Sequence, residues 1–309
     1  MSAWAQRAQE YLRLRQAFGH DLAEAVRLLP RFVAYLDTIG APTITIEAAL
    51  AWAQAPDGGP DSKLRARRMT IVRGFARHMA GIDAETQVPP PGLIPYRKRW
   101  RPPYIYTDGE IQTLMAATES AILNPLKALT YRTILGVLAA TGMRVGEALR
   151  LQHCDVDPDE RVITIRASKF GKSRQLPLAA TTAQALADYA TQRNRFRPRP
   201  RSEAFFVSTA GTPVQYPHFG LEFRKLITTT GVGAKSPIRP RIHDIRHSFA
   251  VHTLIDWYHT GQDVNALLPR LSTYLGHRDP ICTYWYLSAA PELLALAAGR
   301  LEAAQEARP

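Results

Sequence analysis

Apolar residues recur every three or four positions through the first 80 residues, and this spacing predicts a series of short helices. Gly19 ends the first of them, and Thr45 precedes a helix predicted over Ile46–Gln54. Threonine is a favourable N-cap because its side-chain oxygen accepts a hydrogen bond from the first helical turn. We therefore expect the N-terminal part of the chain to be helical.

The segment Lys63–Met79 combines an apolar face with a high density of positive charge. Its apolar positions are Leu64, Met69, Ile71, Val72, Phe75 and Met79, and its cations are Lys63, Arg65, Arg67, Arg68, Arg73 and Arg77. A helix with one cationic face fits along a groove of a nucleic acid and contacts its phosphates. A solvated charged face is the alternative interpretation, and the residues alone leave both open.

A stretch rich in proline and arginine separates the two halves of the chain. Pro89–Pro91 and Pro95 cannot continue a helix, and Arg97–Arg101 is strongly cationic. We therefore expect residues 1–86 to form a helical domain, residues 87–105 a basic linker and residues 106–309 a second domain.

The second half mixes helix and strand. Thr107 and Glu110 form the Thr-x-x-Glu pattern of a capping box. Arg161–Arg166 alternates with a period of two, which predicts a strand with Gln175–Leu178 as its hairpin partner. The other predicted elements are a helix over Leu129–Ala140 that ends at Gly142, a second helix from near Val145, a helix over Thr181–Tyr189, an extended basic loop over Arg193–Arg201, a short strand over Ala204–Ser208 and further helices beyond Tyr216. The predicted fold class is mainly α with a small β-sheet.

The charge of the chain indicates its class of partner. The 309 residues carry a net charge of +12 with a pI near 9.9, which favours an anionic partner, most commonly nucleic acid. Residues 1–104 hold 15 Lys and Arg against 9 Asp and Glu, and residues 105–309 hold 24 against 18. Both halves are therefore expected to face the same polyanion, with a merely solvated charge excess as the alternative.

Cysteine usage and hydropathy indicate the compartment. Cys154 and Cys282 lie far apart, which excludes a disulfide framework and a Cys-x-x-Cys zinc site. A reducing cytoplasm is the expected location. The N-terminus lacks a secretory signal pattern, and no run approaches the roughly 18 apolar residues of a membrane helix, so no membrane partner is expected.

Two arginines of the second half are suited to holding a phosphate group. Arg144 follows a glycine at a helix–helix corner, and Arg246 lies three residues after His243, on the same predicted helix face. Two guanidinium groups can hold the non-bridging oxygens of one phosphate and stabilise the charge that these oxygens gain in the transition state. Glu147, three residues after Arg144, either braces that arginine or a neighbour, or forms an ordinary helix ion pair.

A histidine and a tyrosine follow at a defined spacing. His277, in a Leu-Gly-His turn, comes nine residues before Tyr286. His243 and His277 can donate hydrogen bonds to a phosphate or transfer a proton. Tyr286 is a candidate nucleophile, because cationic neighbours favour the phenolate and attack on phosphorus yields a phosphotyrosine without ATP or a metal. The tyrosines that compete for this role are Tyr284 and, less strongly, Tyr274 and Tyr258.

Lys169 lies in the polar turn between the two predicted strands. A flexible hairpin can bring an ammonium group into the minor groove, where the group protonates a departing 5′ alkoxide. Lys172 and Arg174 compete for this role, and a simple phosphate contact is the alternative function of the turn.

The motifs follow one another in the order arginine, His-x-x-Arg, Leu-Gly-His and tyrosine. This order resembles that of the tyrosine recombinases, also called the phage-integrase family. The resemblance covers residues 107–300 by motif. It selects Tyr286 over Tyr284 because the nine-residue step from His277 matches the family, and it selects Lys169 because the family's lysine comes first in a Lys-x-x-Lys turn. The catalytic set that it implies, without metal or cofactor, is Arg144, Lys169, His243, Arg246, His277 and Tyr286.

The resemblance also implies an architecture and partners. A SAM-like core-binding domain (residues 1–86) and a catalytic domain (residues 106–309) would form a C-shaped clamp on double-stranded DNA, in the cytoplasm at the nucleoid. A homotetramer on two DNA sites would exchange strands through a 3′-phosphotyrosine and a four-way junction. The need for an accessory protein or a second recombinase stays open. Pro291–Ala304 resembles the family's last helix, which often docks on a neighbouring protomer.

Two departures from the family pattern bear on the subfamily. The interval from His243 to His277 is long, with an extra segment at Asp256–Gly261, and Leu287-Ser288 stands where many members have Thr-His. We favour a mobile-element integrase over a chromosome-dimer resolvase. The competing function classes are a type IB topoisomerase-like enzyme that relaxes DNA, a catalytically degenerate DNA-binding regulator and a metal-dependent nuclease.

Overall fold

The computed structural model describes residues 2–20, 22–55, 62–94, 101–166, 173–277, 279, 281–288, 292–296 and 298–299. The chain divides into two compact units, Met1–Trp100 and Arg101–Pro309. Each unit has its own hydrophobic core. Among the described residues, no helix is long and apolar enough to cross a membrane.

The N-terminal unit is helical throughout its described elements. These are α1 (Ala3–Ala17), α2 (Ala23–Thr38), α3 (Ile46–Gln54) and α4 (Ser62–Met79). The hydroxyl of Thr45 accepts a hydrogen bond from the backbone N–H of Ala48, which confirms the predicted cap of α3. Phe32 of the amphipathic α2 packs on Trp52 of α3, with ring centroids 5.1 Å apart, so the apolar faces meet in one core.

One of the six cations predicted on a single face of α4 lies in the core instead. Arg68 is 3% exposed, donates to the carbonyl of Ala55 at 3.1 Å and lies over the ring of Trp52 at 5.3 Å. The prediction of one shared cationic face was wrong at this position. Arg68 comes four residues before the buried Val72 and seven before the buried Phe75, so the helix turns it to the same side.

The C-terminal unit is mainly helical with a small sheet, which confirms the predicted fold class. Its helices are α5 (Asp108–Ala121), α6 (Pro125–Thr141), α7 (Val145–Ala148), α8 (Ala180–Phe196), α9 (Tyr216–Thr230), α10 (Ile242–His259), α11 (Val264–Leu275) and α12 (Ile281–Tyr284), with 3-10 turns at His153–Asp155 and Trp285–Ser288. The strands β1 (Val156–Asp157), β2 (Val162–Ile165) and β3 (Arg174–Pro177) pair antiparallel in that order.

The β2–β3 hairpin follows the predicted period of two. Ile163 and Ile165 are buried on one face, and Ile163 pairs with the buried Leu176. In this register Ile165 pairs with Arg174, so Arg174 lies at the end of the hairpin that borders α11. The capping box at Thr107 and Glu110 is likewise confirmed at the start of α5.

Three local predictions were wrong in type or extent. The helix predicted at Thr181–Tyr189 continues to Phe196 as α8, so Arg193 is buried at 1% exposure and is not part of an extended loop. The segment Ala204–Ser208 forms only isolated bridges, from Ala204 to Gln152 and from Val207 to Pro213. The helix predicted from Val145 ends after one turn, at Ala148.

The final segment joins the core that holds the predicted nucleophile. Tyr286 and Leu293 are buried in one cluster with Leu254, Leu271 and Leu275. Much of Pro291–Ala304, the predicted last helix, lies outside the described residues, as does Lys169.

Candidate active site

The corner between α6 and α7 positions the first arginine. α6 ends at Gly142, whose φ of +59° is the left-handed conformation that glycine adopts readily. A side chain here would strike Phe249, because a Cβ would lie 2.4 Å from its ring. The chain then turns so that Arg144 is the N-cap of α7, and its backbone N–H donates to the carboxylate of Glu147 at 2.9 Å.

Glu147 lies between two arginines. Its Oε1 is 2.8 Å from Nη1 of Arg144, and its Oε2 is 2.9 Å from Nη2 of Arg174. Only 2% of its side chain is exposed. Burial alone would raise the pKa of Glu147, but hydrogen bonds from Arg174 and Arg144 outweigh it and lower the pKa to about 2. Of the two roles predicted for Glu147, the structure thus has it bracing both arginines.

The two predicted phosphate-binding arginines converge on the turn Leu275–Gly276 at the end of α11. Arg144 donates from Nη2 to the carbonyl of Gly276 at 3.0 Å, and Arg246 donates from Nη2 to the carbonyl of Leu275 at 2.7 Å. Nη1 of Arg246 donates to the carbonyl of Gly142 at 2.9 Å. Burial, followed by the charge of Arg144, lowers the pKa of Arg246 to about 10, so Arg246 stays cationic at neutral pH.

His277 follows Gly276, whose φ of +67° ends α11. Its Nδ1 is 2.7 Å from the hydroxyl of Thr283. Its ring stacks on Tyr286, with centroids 6.0 Å apart and planes 18° apart. Burial, followed by the charge of Arg246, lowers the pKa of His277 to about 4, so the imidazole is neutral at neutral pH.

Two histidines of α10 border the same place. The rings of His243 and His247 are 4.8 Å apart, and that of His247 is 5.5 Å from the ring of Tyr286. Desolvation and then the charge of Arg246 lower the pKa of His243, although part of its side chain remains exposed. Burial and then His243 lower the pKa of His247 to about 3. Both imidazoles are therefore neutral near pH 7.

Burial distinguishes the two rival tyrosines. Tyr286 is 2% exposed, whereas Tyr284 is 47% exposed. Tyr286 also lies close enough to Arg246 for their charges to interact. Five of the six predicted site residues therefore lie together in the structure, and these are Arg144, His243, Arg246, His277 and Tyr286.

Sequence reasoning missed the position of Arg174, which it weighed only as a competitor of Lys169. Its Nε donates to the carbonyl of Tyr274 at 2.8 Å, and its side chain is only 12% exposed because the guanidinium points to Glu147. The signal was the strand period. Arg174 comes two residues before the buried Leu176, so both lie on one face of β3.

The arrangement is suited to phosphate chemistry. Two guanidinium groups, neutral imidazoles and a phenol in one place can hold a phosphodiester and attack its phosphorus. In the part of the chain that the structure describes, no group of three His, Cys, Asp or Glu residues could hold a metal ion.

Residues 105–292 match the family model described as Phage integrase family. The match spans more than half of the chain and includes all five clustered residues. The chain belongs to the phage integrase family.

Two relatives of this family member come from Sinorhizobium fredii (strain NBRC 101917 / NGR234), and both carry the provisional name integrase/recombinase. The relative y4rB is 41% identical over 100% of both chains, and y4rE is 34% identical over 96% of this chain and 94% of its own. The tyrosine recombinase XerD of Bradyrhizobium diazoefficiens is 27% identical over 89% of this chain and 81% of its own. The chain is thus a tyrosine-type site-specific DNA recombinase.

Solved structures share the fold. The Tn1549 transposon integrase in complex with transposon right end DNA aligns with a TM-score of 0.65 and 15% identity, over 96% of this chain and 98% of that chain. The XerH site-specific recombinase bound to its palindromic difH substrate aligns with a TM-score of 0.62 and 17% identity, over 89% and 78% of the two chains. At these identities the likeness concerns the fold, which agrees with the mainly helical architecture described above.

Proposed function

We propose that this recombinase cleaves and rejoins double-stranded DNA through a covalent 3′-phosphotyrosine at Tyr286. The observation that carries the proposal is the convergence of Arg144, Arg246 and His277 on one place beside Tyr286. Cationic groups around a phenol favour the phenolate and also attract the phosphate that the phenolate attacks. Strand exchange then proceeds in pairs through a four-way junction.

The proposed cleavage step balances without an external reagent. The phenol of Tyr286 first releases its proton to solvent. The phenolate oxygen then attacks the phosphorus, the bond to the 5′ oxygen breaks, and the 3′ phosphate stays joined to the tyrosine. Arg144 and Arg246 hold the non-bridging oxygens, and Lys169, the predicted general acid, gives its proton to the departing 5′ oxygen. Attack by a 5′ hydroxyl on the phosphotyrosine reverses these steps and rejoins DNA without ATP.

The histidines contribute as neutral hydrogen-bond donors in this proposal. We assign Nδ1 of His277 as the acceptor of a hydrogen bond from the hydroxyl of Thr283. The neutral ring then carries its proton on Nε2 and can donate a hydrogen bond to the phosphate. His243 retains exposed surface and is assigned the same function. A neutral donor stabilises the gain of oxygen charge in the transition state without adding a further permanent cation to the site.

The burial of Tyr286 implies a movement. Only 2% of this residue is exposed, so its hydroxyl must become accessible before it can meet a DNA phosphate. We assign the movement to the 3-10 turn Trp285–Ser288 that carries Tyr286. In this proposal the turn keeps Tyr286 buried and unable to react in the free chain, and the turn rearranges when DNA binds.

The proposed partners are double-stranded DNA and further copies of the chain. The net charge of +12 favours DNA, and the XerH and Tn1549 structures of like fold were solved with DNA. We assign core binding to residues 1–86 and catalysis to residues 106–309. A homotetramer is proposed to act on two DNA sites. The rhizobial relatives are named integrase/recombinase, and we propose the integrase function for this chain, on a mobile element.

A suicide DNA substrate tests the reaction. The substrate is nicked near the cleavage position, carries the ends of the element that encodes the gene, and is incubated with protein in chelator. A denaturing gel detects a covalent protein–DNA adduct. The proteins compared are the wild type, Tyr286→Phe and the matched control Tyr284→Phe, whose tyrosine is 47% exposed and lies two residues away.

We expect the adduct to be lost in Tyr286→Phe and retained in Tyr284→Phe. Loss in Tyr284→Phe alone would move the nucleophile by two residues. If no protein forms an adduct on DNA that it binds, and Tyr286→Phe behaves as the wild type in cells, the chain is a DNA-binding regulator. An adduct that forms without chelator but not with it contradicts the metal-free mechanism.

A further inference from the structure

Arg174 joins three parts of the catalytic unit through one side chain. Its guanidinium spans both oxygens of Glu147, with Nη1 3.2 Å from Oε1 and Nη2 2.9 Å from Oε2. Its Nε donates to the carbonyl of Tyr274 at 2.8 Å. The residue therefore ties the start of β3 both to the α6–α7 corner and to the last turn of α11.

The connection continues from Glu147 to Arg144. Glu147 accepts hydrogen bonds from both the backbone N–H and Nη1 of Arg144, at 2.9 Å and 2.8 Å. A carboxylate held on one side by Arg174 can hold Arg144 on the other side, because the two oxygens are shared between them. The orientation of the Arg144 guanidinium thus depends on a residue that is only 12% exposed itself.

The turn before His277 is shaped around the same guanidinium. A Cβ on Gly276 would lie 2.7 Å from Nη1 and 2.9 Å from Cζ of Arg174. The carbonyl of Gly276 accepts from Nη2 of Arg144 at 3.0 Å. Arg174 and Arg144 therefore enclose Gly276 from two sides, and the turn leads directly into His277.

We propose that Arg174 is a positioning residue for DNA cleavage, which sets the Arg144 guanidinium on the scissile phosphate by holding Glu147 and the turn at Gly276. The inference rests on the function proposed above. Arginine is required because its planar fork can meet two carboxylate oxygens and still donate from Nε to a carbonyl. A lysine has all three N–H donors on one nitrogen, so it lacks the spaced donors with which Arg174 reaches both carboxylate oxygens and the carbonyl of Tyr274.

The test compares single-turnover cleavage of the suicide substrate by the wild type, Arg174→Ala, Arg174→Lys and Arg144→Ala. Arg166→Ala is the matched control, because Arg166 follows β2 in the same hairpin and its Nε pairs with Asp155 at 2.5 Å, away from Glu147. DNA affinity is measured separately for each protein. Misplacement of a catalytic group costs on the order of 10- to 100-fold in rate, so we expect such a loss for Arg174→Ala, an intermediate loss for Arg174→Lys, and unchanged affinity.

A second substrate separates positioning of Arg144 from general damage. It carries a methylphosphonate at the scissile position, with the two diastereomers assayed apart. Replacing a non-bridging oxygen by methyl removes the negative charge that Arg144 would stabilise. The defects of Arg174→Ala and Arg144→Ala should therefore both shrink on this substrate. A defect of Arg174→Ala that stays constant while that of Arg144→Ala shrinks would overturn the inference.

The double variant Arg144→Ala/Arg174→Ala tests whether Arg174 acts through Arg144 on a substrate with an unmodified scissile phosphate. If Arg174 acts through Arg144, the double variant cleaves within about 3-fold of Arg144→Ala, because coupled residues are not additive. Multiplication of the two single losses contradicts the inference. The absence of an adduct with the wild type on DNA that it binds, together with wild-type behaviour of Tyr286→Phe in cells, rejects the proposed function itself. Equal cleavage rates for the wild type and Arg174→Ala reject only the role of Arg174.

Discussion

A single buried carboxylate allows three arginines to lie close together. Glu147 contacts Arg144 and Arg174 directly and also interacts with the charge of Arg246. Without an anion between them, these guanidinium groups would repel one another at this degree of burial. The site is thus an ion cluster with a net positive charge, which leaves it ready to accept a phosphate.

The charge of Glu147 should make its contribution to stability dependent on pH. Its pKa is about 2 in the folded chain against 4.5 for the free group, so the contribution is complete above pH 4.5 and is lost as pH falls through 2. We predict that Glu147→Gln lowers the free energy of unfolding by up to about 3 kcal/mol at pH 7, and by about half as much at pH 3. Urea unfolding of both proteins at pH 7, 5 and 3 measures this. A difference that does not change with pH contradicts the prediction.

The neutral state of His277 gives a second prediction. Because its pKa falls from 6.5 to about 4 in the folded chain, we expect His277 to stay neutral down to about pH 5 without DNA. The associated stability is complete above pH 6.5 and is lost as pH falls through 4, since the unfolded chain binds the proton first. An NMR titration of the imidazole Cε1–H signals, assigned with His277→Gln, measures the midpoint. A midpoint near 6.5 for the assigned signal is the contrary result.

Helix ends organise the site at the scale of elements. The helices α6, α9 and α11 each end at a glycine with positive φ, and these are Gly142, Gly231 and Gly276. Gly142 and Gly276 also face atoms that leave no room for a side chain, whereas nothing lies within 4 Å of a Cβ at Gly231. The two glycines of the site therefore serve both the backbone conformation and a close contact.

Gly231 provides a matched control for Gly276. We predict that alanine at either position costs about 1 kcal/mol of stability, because both residues adopt a left-handed conformation. Only Gly276→Ala should also slow DNA cleavage, by about 10-fold or more, because its methyl group displaces the guanidinium of Arg174. Urea midpoints and single-turnover rates measure the two effects. Equal cleavage rates for the two variants would remove the argument for the contact.

Two arginines of α4 differ in burial, and this difference bears on how much of the charge of the whole molecule DNA can meet. Arg77 is exposed and adds to the positive surface, whereas Arg68 is buried against Trp52. Arg77 is therefore available to a polyanion, whereas Arg68, nine positions earlier on the same helix, belongs to the core. The total charge of +12 therefore overstates the charge that DNA can meet.

These two arginines give opposite predictions. Arg77→Ala should weaken DNA binding on every sequence and reduce the slope of log affinity against log salt by about 1, with unchanged stability. Arg68→Ala should leave the slope unchanged and lower the free energy of unfolding by about 2 kcal/mol, because it removes buried packing and a hydrogen bond. Anisotropy titrations at several salt concentrations, together with urea unfolding, measure both. The reverse assignment of effects would contradict the burial seen for Arg68.

Local pattern alone determined several elements of this recombinase. The capping box at Thr107, the cap at Thr45 and the β2–β3 hairpin follow from contacts between residues close in the chain, which repeat with the helix or strand period. The continuation of α8 to Phe196 did not follow in this way. Arg193 prolongs that helix because the core offers its guanidinium the carbonyl of Phe205, and no local period encodes that acceptor.

The order and spacing of the arginine, histidine and tyrosine motifs, the mainly helical fold class and the family all follow from the amino-acid sequence. How these groups are held depends instead on contacts between residues far apart in the chain. Arg174 reaches Glu147 across 27 residues, and Arg144 reaches the carbonyl of Gly276 across 132. The physical reason is that many of these partners are backbone carbonyls. Every residue has such a carbonyl, so no residue type marks the one that folding brings within reach.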